Sequence, residues 1–267
     1  MRTVKIQGGL GNQLFGLSFA RSAALLSGGP VSLDLAAYGA DRYGRGFDLT
    51  ELATPLFAPS FTRRPWLSSR LITALARHAP LPGYVSERRP PRDAAELAHL
   101  IERGVYFNGY WQHETYIADP AGFIAATKSF VLARAPCPPA RDVVIHFRSY
   151  KEEVRPAARG TPGSDYVRRA LDLIEKTEGR PADIALVSDD PDLARAWLGD
   201  VGRPVTFIPD GGPWADMASL MAARALILTN SSFSWWGGFC SDAALISYPA
   251  RGRLFHYPAP AARFVVV

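Results

Sequence analysis

The stretch Ala225-Leu226-Ile227-Leu228-Thr229-Asn230-Ser231-Ser232-Phe233-Ser234-Trp235-Trp236-Gly237-Gly238 changes character in its middle, from aliphatic to small and polar, then to paired indoles. Ala225 to Thr229 reads as a short buried parallel strand, so the asparagine and serines fall on the turn at its carboxyl end. Ligands bind there in open α/β sheets. A helix beginning near Ser234 would turn the hydroxyls and free backbone N–H groups of its first turn toward an anion such as phosphate. The plainer alternative is that Ser231 or Ser232 caps that helix while Trp235 and Trp236 fill the core. Three serines, an asparagine and two tryptophans in nine residues favour a ligand site, with Asn230, Ser231, Ser232 and Ser234 as its candidates.

Working outward, the same alternation recurs. Asp142 to Phe147 reads as a strand, Asp165 to Thr177 as a helix, Asp183 to Ser188 as a strand and Pro191 to Leu198 as a helix. Val205 to Ile208 is a strand, Trp214 to Arg224 a helix, and Leu226 to Leu228 and Ala244 to Tyr248 are strands. That order belongs to a parallel sheet covered by helices. At the amino terminus, Thr3 to Gln7, the turn Gly8-Gly9-Leu10-Gly11, a helix from Asn12 to Leu26 and a strand from Val31 to Leu35 form a βαβ unit, with Gly28-Gly29-Pro30 stopping the helix. Gly104 to Tyr110 is strand-like, whereas Tyr38 to Pro91 is rich in Arg, Pro and Gly and carries no clear pattern. Pro136, Pro138 and Pro139 disfavour both helix and strand and mark a boundary. The expected fold is α/β, with two Rossmann-like domains, residues 1–136 and 137–267, facing a cleft.

The chain has 267 residues, 48% of them hydrophobic, enough to fill one large core or two modest ones. No apolar run is long enough to span a bilayer; the segment from Leu14 to Leu26 is interrupted by Arg21, and nothing reads as a signal peptide. Cys137 and Cys240 lack metal-ligand spacing, so neither a disulfide framework nor a metal site is expected, and the cytoplasm is the default compartment. The net charge of +5 gathers between Phe61 and Pro90, where Arg63, Arg64, Arg70, Arg77, Arg88 and Arg89 face only Glu87. No zinc-finger, helix-turn-helix or RNA-binding aromatic motif accompanies them, so nucleic acid is not an expected partner. A basic surface toward an anionic substrate or a membrane leaflet is the simpler reading. Pro65 to Arg77 has helical apolar spacing, which suits a helix on lipid headgroups or, as favoured here, one packed inward on the protein.

Candidate chemistry gathers at strand ends. Gly9 and Gly11 sit where a dinucleotide fingerprint would, but Leu14 occupies the third glycine position; with Asp34 as a ribose acid this keeps an NAD- or FAD-binding oxidoreductase as runner-up. Asn12 and Gln13 can hydrogen-bond a sugar or phosphate from the helix start. His146 and Arg148 leave the Asp142 to Phe147 strand on the edge that carries the serines. Arg148 can hold a diphosphate bidentately and stabilise charge on a leaving group, while His146 can bond a base or ribose. In Ser188-Asp189-Asp190-Pro191 the acids suit a divalent metal or a helix cap; capping is the expectation for Asp189, which also stays among the nucleotide-site candidates. Asp216 is the acid expected to accept guanine N–H groups. Serine-hydrolase elbow, Walker loop and His-Glu-x-x-His motifs do not occur.

Gly8-Gly9-Leu10-Gly11-Asn12-Gln13-Leu14-Phe15, Gly109-Tyr110-Trp111-Gln112, Ile145-His146-Phe147-Arg148, Ser188-Asp189-Asp190 and Asn230 to Gly237 occur in this order. Together they resemble the bacterial α1,2-fucosyltransferase family, glycosyltransferase family 11. The resemblance implies a GT-B fold and transfer of L-fucose from GDP-fucose to a sugar hydroxyl, with inversion, no metal and no cofactor beyond the donor. It maps the histidine and first arginine of the family's His-x-Arg-Arg-x-Asp element onto His146 and Arg148, a guanine acid onto Asp216, and phosphate-binding serines onto Ser231 and Ser232. The second arginine of the element is Ser149 here and its acid is Lys151; Glu152, or Glu153, is the candidate replacement carboxylate. The implied partners are a nucleotide sugar and a glycan acceptor, possible products being surface polysaccharides, with peripheral membrane contact through 61–90 as a further expectation. Tyr38 to Pro91, Trp111 and Tyr116 are expected to shape the acceptor pocket, and oligomeric state has no sequence signature.

Overall fold

Glycines set the first crossover. β1 (Arg2–Lys5) leads into Gly8, whose φ of +85° suits a residue without a side chain; a Cβ there would also meet Asn12 Nδ2 at 2.6 Å. The chain then enters the helix Leu10–Ser27, which lies so close to the strand that a Cβ on Gly16 would stand 2.8 Å from Ile6 Cδ1. This helix ends as the sequence predicts, on Gly28 in the left-handed conformation at φ 59° and ψ 15°. The computed structural model describes residues 1–40, 44–62, 71, 73–76, 81–135, 138–149, 163–179, 182–209, 211–249 and 263–267. Of the Pro65 to Arg77 helix, residues 71 and 73–76 are described and are helical; the rest, with Lys151, Glu152 and Glu153, lies outside the described residues.

Two compact units follow one another, Met1–Ala126 and Thr127–Val267, with the division inside the helix Pro120–Leu132. In the first, β2 (Val31–Asp34), β3 (Ser60–Thr62), β4 (Tyr84–Ser86) and β5 (Tyr106–Asn108) join β1 in a parallel sheet of order β3-β2-β1-β5-β4. Val4 stands opposite Leu33 on one side and Phe107 on the other. Phe19, from the first helix, stacks on Trp111 at 4.0 Å and meets Phe107 and Tyr116 edge-on. Trp111 and Tyr116, expected to shape the acceptor pocket, are therefore core, both fully buried. Asp34, weighed above as a ribose acid, is also wholly buried; it accepts Tyr106 Oη–H at 2.7 Å and the Ala36 N–H at 3.0 Å. Those bonds consume it inside the fold, which removes the acid that a dinucleotide reading requires.

The second unit carries β6 (Val143–Phe147), β7 (Ile184–Ser188), β8 (Val205–Phe207), β9 (Ala225–Ile227), β10 (Leu245–Tyr248) and β11 (Phe264–Val266). They form a parallel sheet in the order β11-β10-β9-β6-β7-β8, which is the doubly wound arrangement. Every residue of β6, β7 and β9 is buried, as a sheet covered on both faces requires. Winding reverses between β6 and β9, which are paired with Ile145 opposite Ile227. β11 was not foreseen, because three apolar residues near the chain end carry no periodicity; only their pairing with β10, Ile246 opposite Phe264, makes them a strand. Among the described residues no helix is long and apolar enough to cross a membrane.

Candidate functional site

The carboxyl ends of β6, β7 and β9 bring several of the sequence candidates to one edge of the second sheet. After β9 the chain passes Thr229 and Asn230 and begins the helix Ser232–Cys240 with Ser231 in the N-cap position, at φ −141° and ψ 131°. The helix starts two residues earlier than expected, and the Ser231 side chain makes no capping bond. Its first turn carries no acidic residue, so the field of the helix terminus favours an anion. Asn230 and Ser231 are 1% and 5% exposed, while Ser232 is half-buried and faces solvent more openly. Behind this turn Trp235 stacks on Phe239 at 4.5 Å and Trp236 meets both rings edge-on, so the indoles pack as the plainer reading proposed. A Cβ on Gly237 would lie 2.5 Å from Leu220 Cδ1, which shows how closely this helix rests on its neighbour, Gly212–Ala222.

Ser234 belongs to the interior. It is fully buried, and its Oγ lies 2.5 Å from His146 Nδ1, while Thr229 Oγ1 donates to the His146 carbonyl at 3.0 Å. The two bonds tie the end of β6 to the turn after β9 and to the helix that turn begins, across the point where the winding reverses. His146 is 3% exposed. Burial pushes its imidazole down to about 4; Asp189 opposes that shift and Arg148 reinforces it. The ring is thus neutral at pH 7 and acts as a hydrogen-bonding group. Because the folded value lies below the ordinary 6.5, the unfolded chain binds the proton first as pH falls. The associated stability is whole above about pH 6.5 and is lost toward pH 4, an effect of about 3 kcal/mol. Urea unfolding at pH 7 and pH 4.5 is expected to show a steeper decline for the wild type than for His146→Gln; equal slopes would contradict the buried neutral imidazole.

Arg148 continues from β6 and pairs with Asp189 from the end of β7, Nη1 to Oδ2 at 2.6 Å. Ser149 donates to the same carboxylate twice, from N–H to Oδ1 at 2.9 Å and from Oγ to Oδ2 at 2.8 Å. The cap expected at Asp189 falls instead on Asp190, which accepts the Leu193 N–H ahead of Pro191 and the helix Pro191–Leu198. The acid directly before an N1 proline occupies the cap, leaving its predecessor to turn toward the neighbouring strand. Asp216 lies in the helix Gly212–Ala222 and is 9% exposed. Sequence reasoning missed Thr229 and the Ser149–Asp189 bonds. Ser149 stood out there only as a lost arginine.

The first unit has its own polar edge. Gly9 is the N-cap residue of the helix Leu10–Ser27, Gly11 is buried, and Asn12 accepts Gln112 Nε2–H at 2.7 Å. Gln13 is fully buried; its amide donates to the Gly46 carbonyl at 2.8 Å and accepts the Asp48 N–H at 2.9 Å, so it holds the 46–48 loop. Nearby, Glu87 accepts the N–H groups of Tyr110 and Gln112 at 2.6 and 3.2 Å, on either side of Trp111 at φ +56°. Among the described residues no group of three or more His, Cys, Asp or Glu is placed to hold a metal ion.

Residues 143–247 match the family described as Glycosyl transferase family 11, a span that begins with β6 and ends within β10. An alpha-1,2-colitosyltransferase of Escherichia coli is 22% identical over 251 residues, covering 89% of this chain and 87% of that protein. Among solved structures, the NodZ alpha-1,6-fucosyltransferase co-crystallised with GDP aligns at 14% identity and a TM-score of 0.48, over 92% of this chain and 93% of that one. The E. coli heptosyltransferase WaaC with ADP-2-deoxy-2-fluoro heptose aligns at 12% identity and a TM-score of 0.49, over 100% of this chain and 93% of that one. The described fold is α/β, with two successive parallel sheets covered by helices. The matched segment carries the strand ends, the serine turn and the Arg148–Asp189 pair, and on this likeness the chain is a glycosyltransferase whose second unit resembles family 11.

Proposed function

We propose that the protein transfers L-fucose from GDP-fucose to a hydroxyl of a glycan acceptor, forming an α1,2 linkage with inversion and without a metal. The observation that carries this reading is the convergence of Arg148 with the helix start at Ser231 and Ser232, at the reversal of the doubly wound sheet. Arg148 supplies charge-assisted donors to the diphosphate, and the N–H groups of the first helical turn supply neutral ones. Both strengthen as negative charge gathers on the departing GDP, which is where a group transfer gains most from fixed donors. His146, neutral and bonded to Ser234, orients this edge and offers its ring to the nucleoside; Asp216 accepts from guanine. The second unit is the donor side, and the first, with Gly9, Gly11 and Asn12, is the acceptor side.

A second reading keeps the reaction and changes the sugar. It is favoured by the E. coli relative, whose name gives colitose as the sugar and α1,2 as the linkage, and by Ser149, which stands where the resembled family has arginine. A panel of GDP-, UDP- and ADP-linked sugars, followed by nucleotide release with a mixed oligosaccharide acceptor pool, separates the two. GDP-fucose is expected to react fastest and to keep its rate in EDTA. Preference for another sugar on GDP would support the second reading, and turnover restricted to UDP- or ADP-sugars, or a strict manganese requirement, would overturn the first.

A further inference from the structure

Arg148 has a long flexible side chain at the end of a strand, and something must hold it if it is to receive a ligand in one orientation. β6 and β7 pair with Phe147 opposite Ser188, so residues 148–149 and 189 are the next steps along two adjacent strands. Across that gap Asp189 accepts Arg148 Nη1–H, the Ser149 N–H and the Ser149 hydroxyl. The Ser149 side is rigid, since one of its two bonds comes from the backbone and the residue is 4% exposed. A carboxylate only accepts hydrogen bonds and repels a diphosphate, so Asp189 is ill-suited to touch phosphate oxygens itself. It is well suited to fix the plane of a guanidinium that does.

We propose that Asp189 is a positioning residue for Arg148, and that Ser149 is the anchor that holds Asp189 in place. The inference rests on the donor reading above. It assigns Ser149, standing where the resembled family has a second arginine, the task of immobilising the one arginine that remains at this point. Two effects of Asp189 oppose each other. Its charge weakens attraction for a diphosphate, whereas its bonds remove the ordering cost of the arginine. Salt separates them, because at about 0.5 M the screening length falls to a few ångströms while hydrogen-bond geometry is retained.

The test is a double-mutant cycle on the dissociation constant of GDP, measured by titration calorimetry at about 0.5 M salt. Asp189→Asn is isosteric but, whichever way its amide turns, sets an N–H against either Arg148 Nη1 or the Ser149 N–H. It is expected to weaken GDP about tenfold with Arg148 present and less than twofold in an Arg148→Ala background. Ser149→Ala, which keeps the carboxylate and the backbone bond, is expected to give a smaller loss, about threefold, again only when Arg148 is present. It carries the test alone if Asp189→Asn does not fold. Equal losses in both backgrounds would mean that Asp189 contacts the nucleotide or merely supports the fold. No loss in either would mean that Arg148 does not need it. Both outcomes overturn the proposal and leave the donor reading standing. If the wild type binds ADP or UDP in place of GDP, the donor reading falls and the same cycle is run on the nucleotide that binds. A wild type that binds none of the three overturns both.

Discussion

Arg148→Ala should weaken GDP binding about a hundredfold in isothermal titration, the largest loss expected from any single change at the candidate site. The arginine is about one-third exposed at the end of β6, so its guanidinium can reach a ligand while Asp189 holds one edge. Deleting it removes charge-assisted donors and also leaves the Asp189 carboxylate facing the incoming diphosphate with its charge uncompensated. The two consequences act in the same direction. If the donor reading is right, turnover should fall further than binding, because charge on the departing GDP exceeds that on the bound donor. Unchanged affinity would remove Arg148 from the donor site and with it the central element of the proposed function.

Trp236→Ala should cost the second unit about 3–5 kcal/mol, measured as a shift of the denaturant midpoint at constant slope. The indole is fully buried and meets Trp235 and Phe239 edge-on at 5.0 and 5.5 Å. Its neighbour Gly237 lies against Leu220, so the surrounding helices have little freedom to collapse into the space an alanine would leave. Against a typical domain stability of about 5–15 kcal/mol this is a large fraction. GDP affinity should decline with it even in molecules that remain folded, since the same helix presents Ser231 and Ser232. A loss below about 1 kcal/mol would show that the tryptophan is not a packing anchor.

How much of this was legible in advance varies with how local the signal is. The bounds Pro191–Leu198 match the sequence reading, because an N1 proline and a helical apolar pattern are both written in consecutive positions, although the cap is Asp190 rather than Asp189. The helix Ala94–Arg103 was missed although it carried a comparable mark: Asp93 accepts the Glu96 N–H and Glu96 accepts the Arg92 N–H, much of a capping box. Its surroundings of Arg, Pro and Gly hid it. Trp111 illustrates the opposite failure. It was expected to help shape the acceptor pocket, yet an indole stacked on Phe19 and fully buried is core, and only the approach of a distant helix decides that.

By itself the sequence determined the α/β alternation and the edge on which Arg148 and the serines would meet, because strand, turn and helix signals are short-range and strand direction follows from the connections. Tertiary structure decided which polar side chains are turned inward. Gln13 is consumed by the 46–48 loop, Ser234 by His146, and Asp34 by Tyr106, while Asp189 is joined to Arg148 and Ser149. Each of these partners comes from another segment of chain, and a hydrogen bond across strands depends on register and packing that no local pattern encodes.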